Sequence, residues 1–289
     1  MSGKHDYTAS GKELQRQHEN SPRAEMERAQ QFLKARMDQL SKWVKYGLQP
    51  EALVRFALLD MQQNEKLRRA DPGSIYLGLL ACAQTGLEPG ALKQEAFLVP
   101  FAGRAQFMAG WRGYVKQARR SREVVGLWSN VVRERDTFDL DLGSGAPPVH
   151  KPLLTSGDEA RGAVIGAYAC ARMRGDFHEV EWMDVEDLNR IRAVAEARGK
   201  SPAYRDWPDQ MARKAPIRRL AKRLPLGSDY FVAVGVEQAQ EDGRDDDAIA
   251  VLDSVTDGAA TEAIEAAARG AEMTKQAGGA PEEGGEPHE

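Results

Sequence analysis

The sequence predicts an α+β protein in which a mainly antiparallel sheet packs with helices on one side. Apolar residues recur at helical spacing through the first part of the chain. Short runs rich in branched and aromatic residues, joined by Gly-containing turns, then dominate up to about residue 182. The C-terminal part is rich in Asp, Glu and Gly, which predicts a largely disordered acidic tail over residues 237–289.

The N-terminal part is predicted to be helical after a polar, disordered segment at 1–23. A helical pattern covers residues 24–45, and a proline opens a second helix over 50–61. A third helix is expected over 75–84, with Ser74 as its N-cap.

The middle of the chain is predicted to form the sheet. Ala102-Gly103-Arg104 joins the first two strands into a hairpin, and Arg174-Gly175-Asp176 joins the last two. A helix over 185–197 follows, with Asp184 as its cap and its apolar face directed inward. The predicted strands are 97–101, 106–109, 124–132, 138–142, 163–173 and 177–182.

Charge is divided unevenly along the chain. Residues 226–289 contain sixteen acidic and three basic residues, whereas the remainder contains 37 basic and 28 acidic residues. A basic body with an acidic extension is typical of a nucleic-acid binder with a regulatory or partner-binding segment. A tail that only keeps the protein soluble explains the acidic end equally well.

Two predicted helices carry clustered cations. In 111–121, basic residues fall at i, i+4, i+7 and i+8 on one side, opposite Trp111 and Val115. In 207–225, cations flank an apolar stripe, and the single carboxylate, Asp209, lies in the first turn, where the helix dipole favours it. Because a solvated face usually mixes signs, contact with a nucleic-acid backbone is favoured over a merely soluble surface. We expect the two surfaces to converge into one track for a polynucleotide.

A series of motifs resembles the RecT family of phage single-strand annealing proteins over roughly residues 25–235. The motifs are Gly86-Leu87-Glu88-Pro89-Gly90, Ala96 to Phe101, Gln106 to Tyr114, Ala118-Arg119-Arg120-Ser121, Val131-Val132-Arg133-Glu134, His150-Lys151-Pro152 and the helix from Ala215 to Pro225. They occur in the family's order. One departure is Pro216, which removes a backbone donor and predicts a kink or restart of that helix.

The resemblance implies ATP-independent annealing of complementary single-stranded DNA in phage-type recombination, by a homo-oligomer that forms rings or helical filaments. It implies a core at 24–236 with a projecting β-hairpin. It also implies contact with a phage exonuclease and a host single-strand binding protein through the tail. No cofactor is expected; Mg²⁺ is the one candidate modulator.

The residues expected to grip DNA are mainly cations of the two helices. The family resemblance adds Arg133 and Lys151 to them. Tyr114 is a candidate for stacking on a base. Gly110 and Gly113 are expected to let the backbone approach DNA closely. The full set of expected contacts is Arg104, Arg112, Tyr114, Lys116, Arg119, Arg120, Arg133, Lys151, Lys214, Arg218, Arg219 and Lys222.

Enzyme chemistry is disfavoured by spacing. Gly199-Lys200-Ser201 resembles the end of a P-loop, but the motif needs glycine where Val194 stands, so ATP use is not expected. The pairs Asp139/Asp141 and Glu179/Glu181 could bind Mg²⁺ in a nuclease, yet alternation along solvent-facing strands explains both more simply. The alternatives left open are a single-strand protecting protein without annealing activity and, less favoured, a nuclease.

The remaining features predict an ordinary cytoplasmic protein. Cys82 and Cys170 lie in apolar contexts and are expected to be buried thiols. His150 and His178 lack a ligand set with zinc spacing and are expected to pack or to face solvent. No apolar run has the length of a membrane span or the position of a secretory signal.

Overall fold

The computed structural model describes residues 21–154, 160–197, 202–256, 260–262 and 265. The helices are α1 (Pro22–Lys34), α2 (Met37–Ser41), α3 (Pro50–Gln63), α4 (Glu65–Arg68), α5 (Pro72–Thr85), α6 (Trp111–Ala118), α7 (Val185–Ala197), α8 (Pro202–Asp206), α9 (Pro208–Ala221), α10 (Ser228–Glu241) and α11 (Asp245–Asp253). The strands are β1 (Ala96–Phe101), β2 (Arg104–Ala109), β3 (Val124–Arg133), β4 (Thr137–Asp139), β5 (Val149–Lys151), β6 (Val164–Met173) and β7 (His178–Asp184). The predicted α+β class is confirmed.

The first helix begins earlier and ends earlier than predicted. Ser21 caps α1 by accepting from the amide of Ala24, and Pro22 occupies the first helical position. The helix ends after Lys34, because Arg36 leaves helical geometry and its guanidinium donates to the carbonyl of Phe32 at 2.8 Å. The predicted segment 1–23 therefore overlaps α1, while residues 1–20 lie outside the described part of the chain.

Helix α5 forms the centre of the core, and twelve of its 14 residues are buried. Its cap is Asp71 and not Ser74: the Asp71 carboxylate accepts from the Ser74 amide at 2.8 Å. The Ser74 hydroxyl instead accepts from the amide of Ala105, which ties the helix to β2. Gly86 ends the helix with a φ of +67°, a conformation that glycine adopts without a steric cost.

The β1–β2 hairpin lies against the helices and does not project. Alternate residues of its strands, including Leu98 and Phe107, are buried against α5 and α10. The amide of Asp71 donates to the carbonyl of Gly103 at 2.8 Å, which fixes the hairpin tip at the start of α5. The apolar side chains of this hairpin are therefore part of the core.

The three-stranded sheet has the order β3–β6–β7 and is antiparallel throughout. Helices α7 and α9 cover one face, which confirms the expectation of helices on one side. The other face carries an aromatic cluster in which Phe138 of β4 stacks on Tyr168 and Trp182. Strand β5, which the sequence did not predict, pairs with β4 above this cluster.

Helix α7 contains no buried residue, although its apolar face was predicted to point inward. Its cap is as expected, since the amide of Asp187 donates to Asp184 at 2.8 Å. Ile191 and Val194 remain exposed. The helix contacts β6 and β7, but residues that face the sheet, such as Leu188, are only half-buried.

The predicted tail boundary at residue 237 falls inside a helix. Helix α10 spans it and packs on α5, β2 and α6, while α11 packs on α10. The run from Glu241 to Asp247 was predicted to be disordered; it is the end of α10, a short turn and the first turn of α11. Buried apolar residues such as Val236 and Leu252 anchor both helices, which explains why acidic composition alone misled the prediction. None of the described helices is long and apolar enough to cross a membrane.

A buried ionic cluster holds the β4–β5 hairpin. The carboxylate of Asp136 is inaccessible to solvent, accepts two bonds from the guanidinium of Arg161, and contacts His150 Nε2 at 3.1 Å. The amides of Arg133 and Leu153 donate to the same carboxylate. The bond from Arg161, together with these other donors, outweighs the effect of burial and holds the pKa of Asp136 well below its usual value.

The Asp136 cluster predicts acid sensitivity of the fold. A folded-state pKa below the unfolded value of about 3.9 gives a contribution to stability that is present above that pH and is lost as the pH falls below it. When the pH falls from 7 to 3, the free energy of unfolding should decrease by about 1 kcal/mol less in Asp136→Asn than in the wild type, as measured by urea titrations. Asp139→Asn, an exposed change in the same hairpin, is the control. Equal losses in wild type and Asp136→Asn would contradict the assignment.

Candidate nucleic-acid interface

The two cationic helices lie side by side and run in the same direction. At their N-terminal ends, the indole nitrogen of Trp111 in α6 donates to Gln210 of α9 at 2.6 Å. Just beyond their C-terminal ends, the Ser121 hydroxyl donates to the carbonyl of Pro225 at 2.8 Å. The predicted convergence of the two helices is therefore present in the structure.

Pro216 does not break α9. The helix continues from Pro208 to Ala221 with Pro216 buried inside it. Lys214 and Arg218, one turn apart, consequently share a face, and both side chains reach Glu237 of α10. The predicted restart is wrong, because the helix is continuous through Pro216.

Glu237 is fully buried at the junction of three helices. One carboxylate oxygen accepts from the ammonium of Lys214 and lies 3.7 Å from Arg218 Nη1, and the other accepts from the Tyr114 hydroxyl at 2.6 Å. Burial alone would raise the pKa of Glu237, but Lys214 and Arg218 bring it below its usual range. Burial lowers the pKa of Lys214. These groups stabilise one another inside the protein.

Tyr114, Lys214 and Arg218 are therefore unsuited to the contacts predicted for them. The Tyr114 ring has no exposed surface and cannot stack on a base, and Lys214 is almost completely buried. Arg218 keeps a quarter of its side chain exposed but faces Glu237 and Glu241. Sequence spacing assigned the three to a DNA-facing surface because the partner carboxylates lie in the segment that had been taken for a tail.

The outer cations of α9 meet carboxylates of the sheet and of α7. Glu181 on β7 accepts from Arg219 at 2.9 Å and from Arg223 at 2.6 Å, while Asp187 also binds Arg219. Glu179 lies 3.8 Å from Arg223. Glu181 thus faces the basic helix and not solvent as predicted, and its carboxylate is bound by two guanidinium groups, whereas Glu179 remains partly exposed.

Two cations, one in α6 and one just after it, anchor this helix to its neighbours. Lys116 binds Glu95 at 2.6 Å. Arg120 binds Asp229 at 2.6 Å and donates to the carbonyls of Thr85 and Gly86, so it anchors α6 to the end of α5 and to the start of α10.

Gly110 and Gly113 are required by the protein's own packing. A Cβ on Gly110 would lie 2.4 Å from the carbonyl oxygen of Gln94, and one on Gly113 would lie 2.1 Å from that of Glu95. Both glycines therefore let α6 approach the preceding loop, and the role predicted for them toward DNA is not needed to explain them.

Three further residues that were predicted to contact DNA either pair with a carboxylate or lie away from the open surface of the two helices. Arg104 binds Asp245 of α11 at 2.6 Å, and Arg133 makes a two-pronged contact with Asp209 of α9. Lys151 is exposed on β5, above the sheet face opposite α9. The structure does not bring Lys151 together with the helical cations.

The cations left open form what we call the cationic edge. Arg112, Arg119 and Lys222 are exposed and pair with no carboxylate among the described residues. Arg122 and Arg174 extend the edge beyond the ends of the helices, since the Arg174 guanidinium donates to the Arg122 carbonyl at 2.9 Å. The cationic edge consists of Arg112, Arg119, Arg122, Arg174 and Lys222, and Lys116, which is half-buried and bound to Glu95, does not belong to it.

Sequence reasoning missed two cations and one aromatic residue. Arg122 follows the basic run directly, and Arg174 lies in the predicted β6–β7 turn, but the turn's position beside α6 depends on strand pairing. Trp207, the residue before α9, exposes about two thirds of its surface. Its position between two helices could have predicted this exposure, because the side chain of a residue that precedes a helix lies outside the helix.

Comparison with known proteins identifies the family of this chain. A family model described as the RecT family matches residues 51–251, which extends through α10 into α11. The chain belongs to the RecT family. Protein RecT of Escherichia coli (strain K12) is 29% identical over 211 residues, covering 70% of this chain and 77% of that protein. Family membership places the chain among proteins of single-strand annealing in recombination.

Glu237→Gln tests the internal role of Lys214 and Arg218. Removing the carboxylate charge leaves two buried cations without their partner, so the free energy of unfolding should fall by about 3 to 5 kcal/mol in urea titrations. Glu241→Gln is the matched control, because its partly exposed contact to Arg218 at 3.8 Å should matter by less than about 1 kcal/mol. Equal effects of the two substitutions would show that Glu237 is not the organising group.

Proposed function

We propose that this protein binds single-stranded DNA along the cationic edge and anneals complementary strands without ATP. The observation that carries the proposal is the division of the helical cations into an internally paired set and an open set. Arg112 and Arg119 are the open cations of α6, at i and i+7 on one face, whereas Lys116 between them is bound to Glu95. A row of cations on a rigid element suits a regular series of phosphates.

The edge matches the demands of annealing. Contacts to phosphates carry no sequence information, so any strand can be held. Holding the backbone leaves the base edges free to pair with an incoming strand. Membership of the RecT family supports this activity over simple protection of single strands. The exposed Trp207 beside the N-terminal ends of both helices could add stacking on a base.

Assembly and partners are part of the same proposal. We propose a homo-oligomeric ring or helical filament that aligns cationic edges of successive subunits. The residues from 257 onward, largely outside the described part of the chain, would contact a phage exonuclease and a host single-strand binding protein. Mg²⁺ is the candidate modulator.

Removing the open cations should weaken DNA binding at every sequence. Each phosphate contact contributes about −0.7 to the slope of log affinity against log salt on single strands. Combined Arg112→Ala, Arg119→Ala and Lys222→Ala should therefore flatten the slope by about 2, measured by fluorescence anisotropy with labelled oligonucleotides over a range of salt.

A triple variant at the opposite end of α5 is the control for net charge. Arg23, Lys66 and Arg69 are exposed and lie near the start of the 14-residue helix α5. Arg120 binds the other end of this helix. Their replacement by alanine removes the same charge and should leave the slope nearly unchanged. A flattening as large as that of the edge variant would refute a localised track.

A strand-pairing assay separates the candidate functions. Two complementary labelled oligonucleotides are mixed with the protein in the absence of nucleotide, and duplex formation is followed by energy transfer. An annealing protein accelerates duplex formation, a protecting protein slows it, and a nuclease shortens the strands when Mg²⁺ is added. We expect acceleration without ATP; slower pairing than with DNA alone would contradict the proposal.

A further inference from the structure

The turn before α3 holds an exposed tyrosine in an unfavourable backbone conformation. Tyr46 has a φ of +58° and Gly47 a φ of +72°, and the amide of Leu48 donates to the carbonyl of Lys45 at 3.2 Å. In such turns Asn or Gly normally precedes the glycine, because a bulky side chain is strained at positive φ. Strained residues persist where their surroundings fix them, and they cluster at functional sites.

The surroundings of Tyr46 do fix the turn. The amide of Lys45 donates to the carbonyl of Ala83 in α5 at 3.1 Å, and Trp43 is buried beneath it. Yet Tyr46 itself remains 55% exposed. The strain therefore does not serve to bury the ring in the core.

One face of the Tyr46 ring lies on Arg120. The guanidinium carbon of Arg120 is 3.7 Å from the ring centroid, and Asp229 and two carbonyls of the α5 terminus hold that guanidinium in place. Because Arg120 covers this face and the ring edge at Cδ2 lies close to Gly86, we take the opposite face as the exposed side of Tyr46. The ring is thus a fixed platform with one open side.

The platform is joined through Arg120 to the segment that carries part of the cationic edge. Arg120 lies directly after Arg119 and two residues before Arg122, both open cations of that edge. An aromatic face beside phosphate-binding side chains is the arrangement by which single-strand binders stack bases while tracking the backbone. The other positive-φ residues with side chains among those described, Gln94, Ala102 and Asp176, are not aromatic.

We propose that Tyr46 stacks on a nucleobase of the single strand whose phosphates lie along the cationic edge. The inference rests on the proposed function and adds to it a base-binding subsite outside both cationic helices. Stacking is tolerant of sequence, since every base presents a π-face, and is therefore compatible with annealing of any strand.

The test compares Tyr46→Gly with the wild type on two probes of equal length, an oligothymidylate and its abasic analogue. Loss of one stacked base should weaken binding to the oligothymidylate by about 5- to 150-fold, with the salt slope unchanged. Binding to the abasic probe should not change. Glycine suits a positive φ, so the fold should survive, as thermal unfolding will check. Tyr46→Asn, which also tolerates this conformation, should repeat the result, and Tyr46→Phe should retain wild-type affinity.

The outcomes are distinguishable. Equal weakening on both probes would overturn the proposal, because it would show that Tyr46 acts by placing Arg120 and not by stacking. Unchanged affinity for the oligothymidylate in Tyr46→Gly would overturn it as well, while leaving the cationic edge intact. Failure of the wild type to bind either probe would instead remove the proposed function, and the platform with it.

Discussion

The buried carboxylate of Glu237 is the constraint on which the rest of the structure depends. It joins Tyr114 of α6, Lys214 and Arg218 of α9 and its own helix α10 within one ionic cluster. A charge that is taken out of water must be matched closely by its partners. The two cationic helices are consequently locked in register, and their inward cations are unavailable to any ligand.

This division of the cations explains the uneven charge of the chain. The acidic segment after residue 226 is in part an internal counterpart of the basic body: Asp229 binds Arg120, Glu241 lies near Arg218, and Asp245 binds Arg104. What the pairing leaves open is a row along α6, continued by Arg122, Arg174 and Lys222. These open cations are the ones that we propose hold a strand without sequence preference.

The sequence predicted the elements better than their environment. Local signals placed the strands of the three-stranded sheet, the cap at Asp184 and the turn at Gly175 nearly as observed. Spacing on a helix also identified which cations share a face. It could not reveal that Lys214 faces Glu237, since that contact joins residues 23 positions apart through tertiary packing. The same limit applies to Tyr114, whose aromatic character suggested stacking although its ring lies in the core.

A structure of the protein with a bound single strand would test the division between internal and open cations most directly. We expect phosphate oxygens at charge-assisted hydrogen-bond distance, about 2.7 to 2.9 Å, from Arg112, Arg119 or Lys222, with Lys214 still bound to Glu237. Phosphates bound to Lys214 and Arg218, with Glu237 displaced from them, would contradict the division between internal and open cations.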